Sequence, residues 1–131
     1  MKTISGASAV VEVLLEEGVG QVFHLPGSQI IDILEEIYQS SIRQVMTRHE
    51  QGAAFMADGY ARAKRGVGVC LSTVGPGAVI LVSGIAASFK AQIPFLAITG
   101  IHDQNFLEKD SFHETDQVSL FRPITKWSAC I

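Results

Sequence analysis

The chain has 131 residues, 47% of them hydrophobic and 18% charged, and a formal net charge of −3. That length and composition describe one domain, residues 1–131, with a core of its own, and exclude a disordered chain. The weak negative charge gives no reason to expect nucleic acid or an anionic membrane as partner, and neither a spanning run nor a signal peptide is expected. In chain order, residues 5–17 carry Val10, Val13 and Leu14 at helical spacing, with Gly18 able to end that helix. Residues 19–25 read as a first strand, Pro26-Gly27-Ser28 as the turn after it, and Ile30, Ile31, Leu34, Ile37 and Tyr38 as one face of a second helix. A strand at 42–47 leads into a helix that opens near Glu50 and runs to about Lys64.

A third strand at 67–73 ends in Gly75-Pro76-Gly77, an apolar helix covers 78–92, and a fourth strand covers 94–99. Residues 100–121 are polar and irregular apart from a short helix near 117–121, and 124–131 offer one further strand. Four strands separated by helices predict parallel pairing with right-handed crossovers. The expected fold is a doubly wound three-layer αβα sandwich around a mainly parallel sheet. Cys70 and Cys130 read as buried thiols of a cytosolic, cytoplasmic protein rather than as a disulfide.

In such a fold the turns after the strands gather at the carboxyl edge of the sheet, where open α/β proteins bind ligands. Three turns meet there: Pro26-Gly27-Ser28, the helix start at Glu50, and Thr73 to Gly77. A carboxylate at that edge is a candidate catalytic group. Thr47-x-x-Glu50 also fits a capping box, and an acid in a first turn is favoured by the helix dipole in any case. Turn geometry alone equally accounts for Gly-Pro-Gly. No dinucleotide fingerprint, P-loop, nucleophile elbow or paired-cysteine metal motif is present, and the four histidines have no ligand spacing.

The run Arg-His-Glu-Gln-Gly-Ala-Ala-Phe-Met-Ala-Asp-Gly-Tyr-Ala-Arg-Ala at 48–63 resembles the signature of the pyrimidine-binding domain of thiamine-diphosphate enzymes, in the acetolactate synthase and benzaldehyde lyase branch. Gly18 to Gly27, Thr73-Val74-Gly75-Pro76-Gly77 and Arg122-Pro123-Ile124-Thr125-Lys126 fall where that family has them. The resemblance implies thiamine diphosphate as cofactor, bound here through Pro26, Gly27, Glu50, Thr73, Gly75 and Pro76. It makes Glu50 the catalytic residue, bonded to a ring nitrogen of the aminopyrimidine so that the cofactor can lose its reactive proton. His113, where this branch usually has Gln, and Gln29, where benzaldehyde lyase has His, are the candidate substrate contacts. The implied substrate is a small 2-keto acid or an aldehyde.

Several positions depart from the family pattern. His24 stands where Gly is usual, Val74 replaces a small polar residue, and Val79-Ile80 replaces a Thr-Asn pair. The Gly-Asp-Gly that marks the family's diphosphate and Mg²⁺ domain is missing, so the resemblance implies half a site, inactive alone and completed by a diphosphate-binding domain or subunit. The expected readings are the N-terminal domain of a longer acetolactate-synthase-like carboligase or decarboxylase, a separate pyrimidine subunit of a two-chain keto-acid decarboxylase, or a non-catalytic binding module. The small residues around Ala54 and Gly84 also suggest a homodimer.

Overall fold

The computed structural model describes residues 3–131. Four parallel strands, β1 (Gln21–His24), β2 (Arg43–Met46), β3 (Gly68–Ser72) and β4 (Phe95–Thr99), form one sheet in the order β2-β1-β3-β4. Helix α1 (Gly6–Glu16) precedes β1, α2 (Ile31–Tyr38) joins β1 to β2, α3 (Glu50–Lys64) joins β2 to β3, and α4 (Pro76–Lys90) joins β3 to β4. Phe23 of β1 stands opposite both Val45 and Cys70, and Cys70 stands opposite Ala97 of β4.

Alternation along the strands divides the core into two. Val22, Val69 and Leu71 join Val11, Leu14, Ile30, Leu34, Ile37 and Ile42 on the side of α1 and α2. Phe23 and Cys70 turn the other way, onto Ala53, Ala54 and Ala57 of α3 and Ala78, Leu81 and Ile85 of α4. Every residue of β3 is buried, as a parallel strand covered on both faces should be. The expected three-layer, doubly wound sandwich is therefore the observed one.

Small residues set how closely the third layer sits. A β-carbon on Gly84 would overlap the Ala54 methyl, and one on Gly68 would overlap the Ala57 carbonyl. The alanine face that suggested subunit packing is thus used within the chain, between α3, α4 and the sheet. A polar lock secures the same contact. The buried Asp58 carboxylate accepts from Ser88 Oγ at 2.8 Å, and from Arg62 Nε at 2.7 Å and Nη2 at 3.1 Å. The Arg62 hydrogen bond, helped by Ser88, holds that carboxyl below its ordinary range against the opposing effect of burial.

Four expectations are corrected. Residues 124–131 add no strand: Arg122–Ile124 forms a 3-10 turn, and Thr125 Oγ1 donates back to Phe121 O at 2.9 Å, so the chain folds on itself. Along α1, Val11 and Leu14 take the buried face and Val13 is exposed, while Ile31 and Tyr38 of the second helix also face outward. Cys70 is buried, its thiol pushed up by desolvation, but Cys130 is exposed. The capping box does not form. The N-cap of α3 is His49, and Thr47 Oγ1 lies 3.2 Å from His24 O and 3.0 Å from His49 O, its proton directed to carbonyls and not to a lone-pair role at the helix start.

Candidate functional site

The order β2-β1-β3-β4 reverses direction between β1 and β3. The turn after β1 leads to α2 on one face and the turn after β3 leads to α4 on the other, and in open α/β folds the crevice between such turns is where ligands bind. Gly27 and Thr73 make those turns meet, since a β-carbon on Gly27 would collide with the Thr73 side chain. Thr73 Oγ1 donates to Gln29 Oε1 at 2.7 Å, and Ser28 Oγ donates to the same oxygen at 2.9 Å.

The other side of Thr73 faces Gly77. A β-carbon there would lie 2.8 Å from Thr73 Cγ2, 2.5 Å from Ser72 Oγ and 3.2 Å from Glu50 Oε1. The missing side chain of Gly77 therefore gives the Glu50 carboxylate its room. Glu50 is only 8% exposed, the first residue of α3, and no cap hydrogen bond engages it. A buried carboxylate with so few commitments is costly unless a ligand or the positive end of a helix compensates it.

The remaining wall comes from further along the chain. Gly75 has φ 62, a conformation few side-chain-bearing residues adopt, and its bare α-carbon admits the His113 carbonyl. Gly100, just past β4, packs on Gln29. Gln117 Nε2 of the short helix α5 (Gln117–Phe121) donates to the Gly100 carbonyl at 3.0 Å.

The expected residues fall into two groups. Gly27, Gln29, Glu50, Thr73 and Gly75 come together around the crevice, Gly27, Gln29 and Thr73 half-buried, Glu50 and Gly75 buried. Pro26 and Pro76 lie exposed at its margin, Pro76 opening α4. His113 is exposed with φ 66, its ring stacked on Phe112 at 3.7 Å between centroids, so its backbone rather than its imidazole meets Gly75. Sequence reading does not single out Ser72 or Gly100, and it names Gly77 only as the end of the Thr73 to Gly77 turn. A glycine directly after a strand's carboxyl end is the signal that marks Gly100.

A separate cleft of about 290 Å³ runs along Val74, Ile101, His102, Glu114 and Gln117 and does not include Glu50. Among the described residues no group of three His, Cys, Asp or Glu side chains could hold a metal ion, and no helix is long and apolar enough to cross a membrane.

His24, at the end of β1, is buried with Nδ1 unpartnered among the described residues. Desolvation lowers its pKa, partly opposed by a hydrogen bond with the Gln44 side chain. The unfolded chain therefore binds that proton more readily than the folded one, and stability falls as pH drops below the ordinary value of 6.5. Melting curves at pH 7.5 and 5.5 are expected to show this loss, at a slope no steeper than ~1.4 kcal/mol per pH unit for one proton. His24→Leu should remove most of it, and an equal pH dependence in that variant would assign the loss to other groups.

A buried carboxylate at the switch point of a doubly wound sheet defines a ligand-binding domain of the α/β class. Residues 4–120 match the family described as thiamine pyrophosphate enzyme, N-terminal TPP binding domain, and the chain belongs to that family. It is 43% identical over 123 residues to the probable acetolactate synthase large subunit of Methanocaldococcus jannaschii, covering 94% of this chain and 21% of that protein. It is 42% identical over 129 residues to the acetolactate synthase isozyme 3 large subunit of Escherichia coli, covering 98% and 22%. Acetolactate synthase 2, chloroplastic, of Nicotiana tabacum is 46% identical over 122 residues, covering 92% and 18%. The chain spans about a fifth of the length of these curated relatives.

Proposed function

We propose that this chain forms the pyrimidine wall of a thiamine-diphosphate site in an acetolactate-synthase-like carboligase or decarboxylase acting on 2-keto acids or aldehydes. The observation that carries the reading is Glu50, a buried carboxylate at the sheet's switch point, packed close to Gly77 where a side chain would crowd it. An acid so placed suits a ring bearing a weakly basic nitrogen. Bound thiamine diphosphate would supply an electron sink for making and breaking bonds at a carbonyl carbon.

Glu50 is the catalytic residue in this reading: its carboxyl holds and returns a proton at the pyrimidine nitrogen. Aspartate would be one methylene too short, and glutamine has no proton to transfer. Pro26, Gly27, Thr73, Gly75 and Pro76 shape the wall, with Gln29 and the loop bearing His113 as the candidate substrate contacts. The diphosphate and Mg²⁺ are held by a diphosphate-binding domain or subunit outside these residues, so the isolated chain is inactive. Exposed Phe55 and Met56 on α3 and Val79 on α4 form the outer surface through which such a partner, or a second copy in a homodimer, would pack.

Two measurements test the reading. The complete enzyme should consume a 2-keto acid only when thiamine diphosphate and Mg²⁺ are supplied. His113→Gln in that enzyme should alter its preference among keto acids and aldehydes while cofactor affinity stays similar. Identical kinetics with every substrate would leave His113 as a surface loop residue.

A further inference from the structure

Three residues of the loop between β4 and α5 stand in the left-handed region although none is glycine: Glu108 at φ 59, Asp110 at φ 53 and His113 at φ 66. A β-carbon disfavours that region, so such a run persists only where its surroundings fix it. Side chains hold two of the loop's carbonyls, Ser111 Oγ donating to Phe106 O at 2.7 Å and Lys109 Nζ to Asn105 O at 2.6 Å. For two of its amides the partner is Glu114. The carboxylate accepts from the Ser111 N–H through Oε2 at 2.8 Å and from the Glu108 N–H through Oε1, and neither amide has another acceptor among the described residues. The Glu114 N–H donates in turn to Ser111 O at 2.8 Å, closing a turn around Phe112 and His113. The amide hydrogen bonds, Ser111 first and then Glu108, hold the Glu114 carboxyl below its ordinary range, so the acceptor is an ion at neutral pH.

The loop so held packs on the sheet's carboxyl edge, where the His113 carbonyl meets the bare α-carbon of Gly75. We infer that Glu114 is a positioning residue for the substrate: its carboxylate orders residues 108–113 against the Gly75 turn and thereby sets where a substrate lies relative to Glu50. One carboxylate can satisfy two amides at once, whereas a glutamine offers one oxygen and turns an –NH₂ toward the second N–H. This rests on the reading of Glu50 as the cofactor's partner, because that reading puts substrate at this edge.

The test uses the complete enzyme loaded with thiamine diphosphate and Mg²⁺, with pyruvate as substrate, and compares it with Glu114→Ala and Glu114→Gln. In Glu114→Ala, deuterium exchange in peptides covering 106–113 should quicken ~10- to 100-fold, the range for losing a hydrogen bond to a charged group. Its kcat/KM should fall by at least ~10-fold, mostly through KM, as expected of a misplaced substrate. Glu114→Gln should lie between alanine and wild type in both measurements. Cofactor C2–H exchange, which reports on Glu50, should stay within about twofold of wild type in either variant. Melting curves establish folding, and should the alanine variant not fold, Glu114→Gln carries the same comparison. Loop exchange or kcat/KM within about twofold of wild type in the folded variant overturns the inference, and so does a fall in C2–H exchange as large as that in kcat/KM. Absence of C2–H exchange in the wild-type enzyme would instead overturn the Glu50 reading, so the two failures are distinguishable.

Discussion

Glu50→Gln in the complete enzyme is expected to slow C2–H exchange of bound thiamine diphosphate by at least ~10²-fold, the scale of a lost acid–base group. The substitution preserves size and the first-turn position on α3, and no cap hydrogen bond depends on the carboxylate. Melting temperature should therefore change little. Cofactor affinity should drop far less than exchange, since an amide still hydrogen-bonds a ring nitrogen. Exchange at the wild-type rate would reduce Glu50 to a carboxylate favoured by the helix dipole and nothing more.

The second large effect is on stability. Gly68→Ala places a methyl group against the Ala57 carbonyl, a backbone atom of α3 that has no rotamer by which to move aside. The helix must lift from β3 along its whole length, which loosens the Ala53, Ala54 and Ala57 contacts with Cys70 and Phe23. A loss of about 3 kcal/mol is expected, at the upper end of the usual cost of overpacking. For a domain of this size that lowers the melting temperature by roughly 10 °C. A shift within ~2 °C would mean that the α3–β3 spacing is looser than described.

What could be read before the structure follows the reach of the interactions involved. Strands and helices were legible because their signals are local: apolar spacing, and glycine or proline at turns such as Gly75-Pro76-Gly77. Glu50 was legible by its place after a buried strand, but its alternative role in a capping box was ruled out only by where the Thr47 hydroxyl points. Non-local pairings leave no such trace. Thr73 and Gln29 are 44 residues apart, and nothing in either turn announces their hydrogen bond. Nor could the alanines of α3 be assigned to Gly84 and the sheet rather than to another subunit, because a small residue looks the same against either. The strand expected at 124–131 misled because short apolar runs specify no partner. There the chain turns back on Phe121 instead.

If, as proposed, Glu50 and its neighbours form one wall of the site, this chain should bind like half a site, because a ligand covered on one side keeps much of its surface in water. Titration calorimetry of this chain alone with thiamine diphosphate and Mg²⁺, beside an assay of pyruvate consumption, measures this directly. The expected result is a cooperatively melting chain with a dissociation constant of about 1 mM or weaker, on the order of −4 kcal/mol, and no turnover until a diphosphate-binding partner is added. Micromolar binding, or turnover by the chain alone, would contradict it.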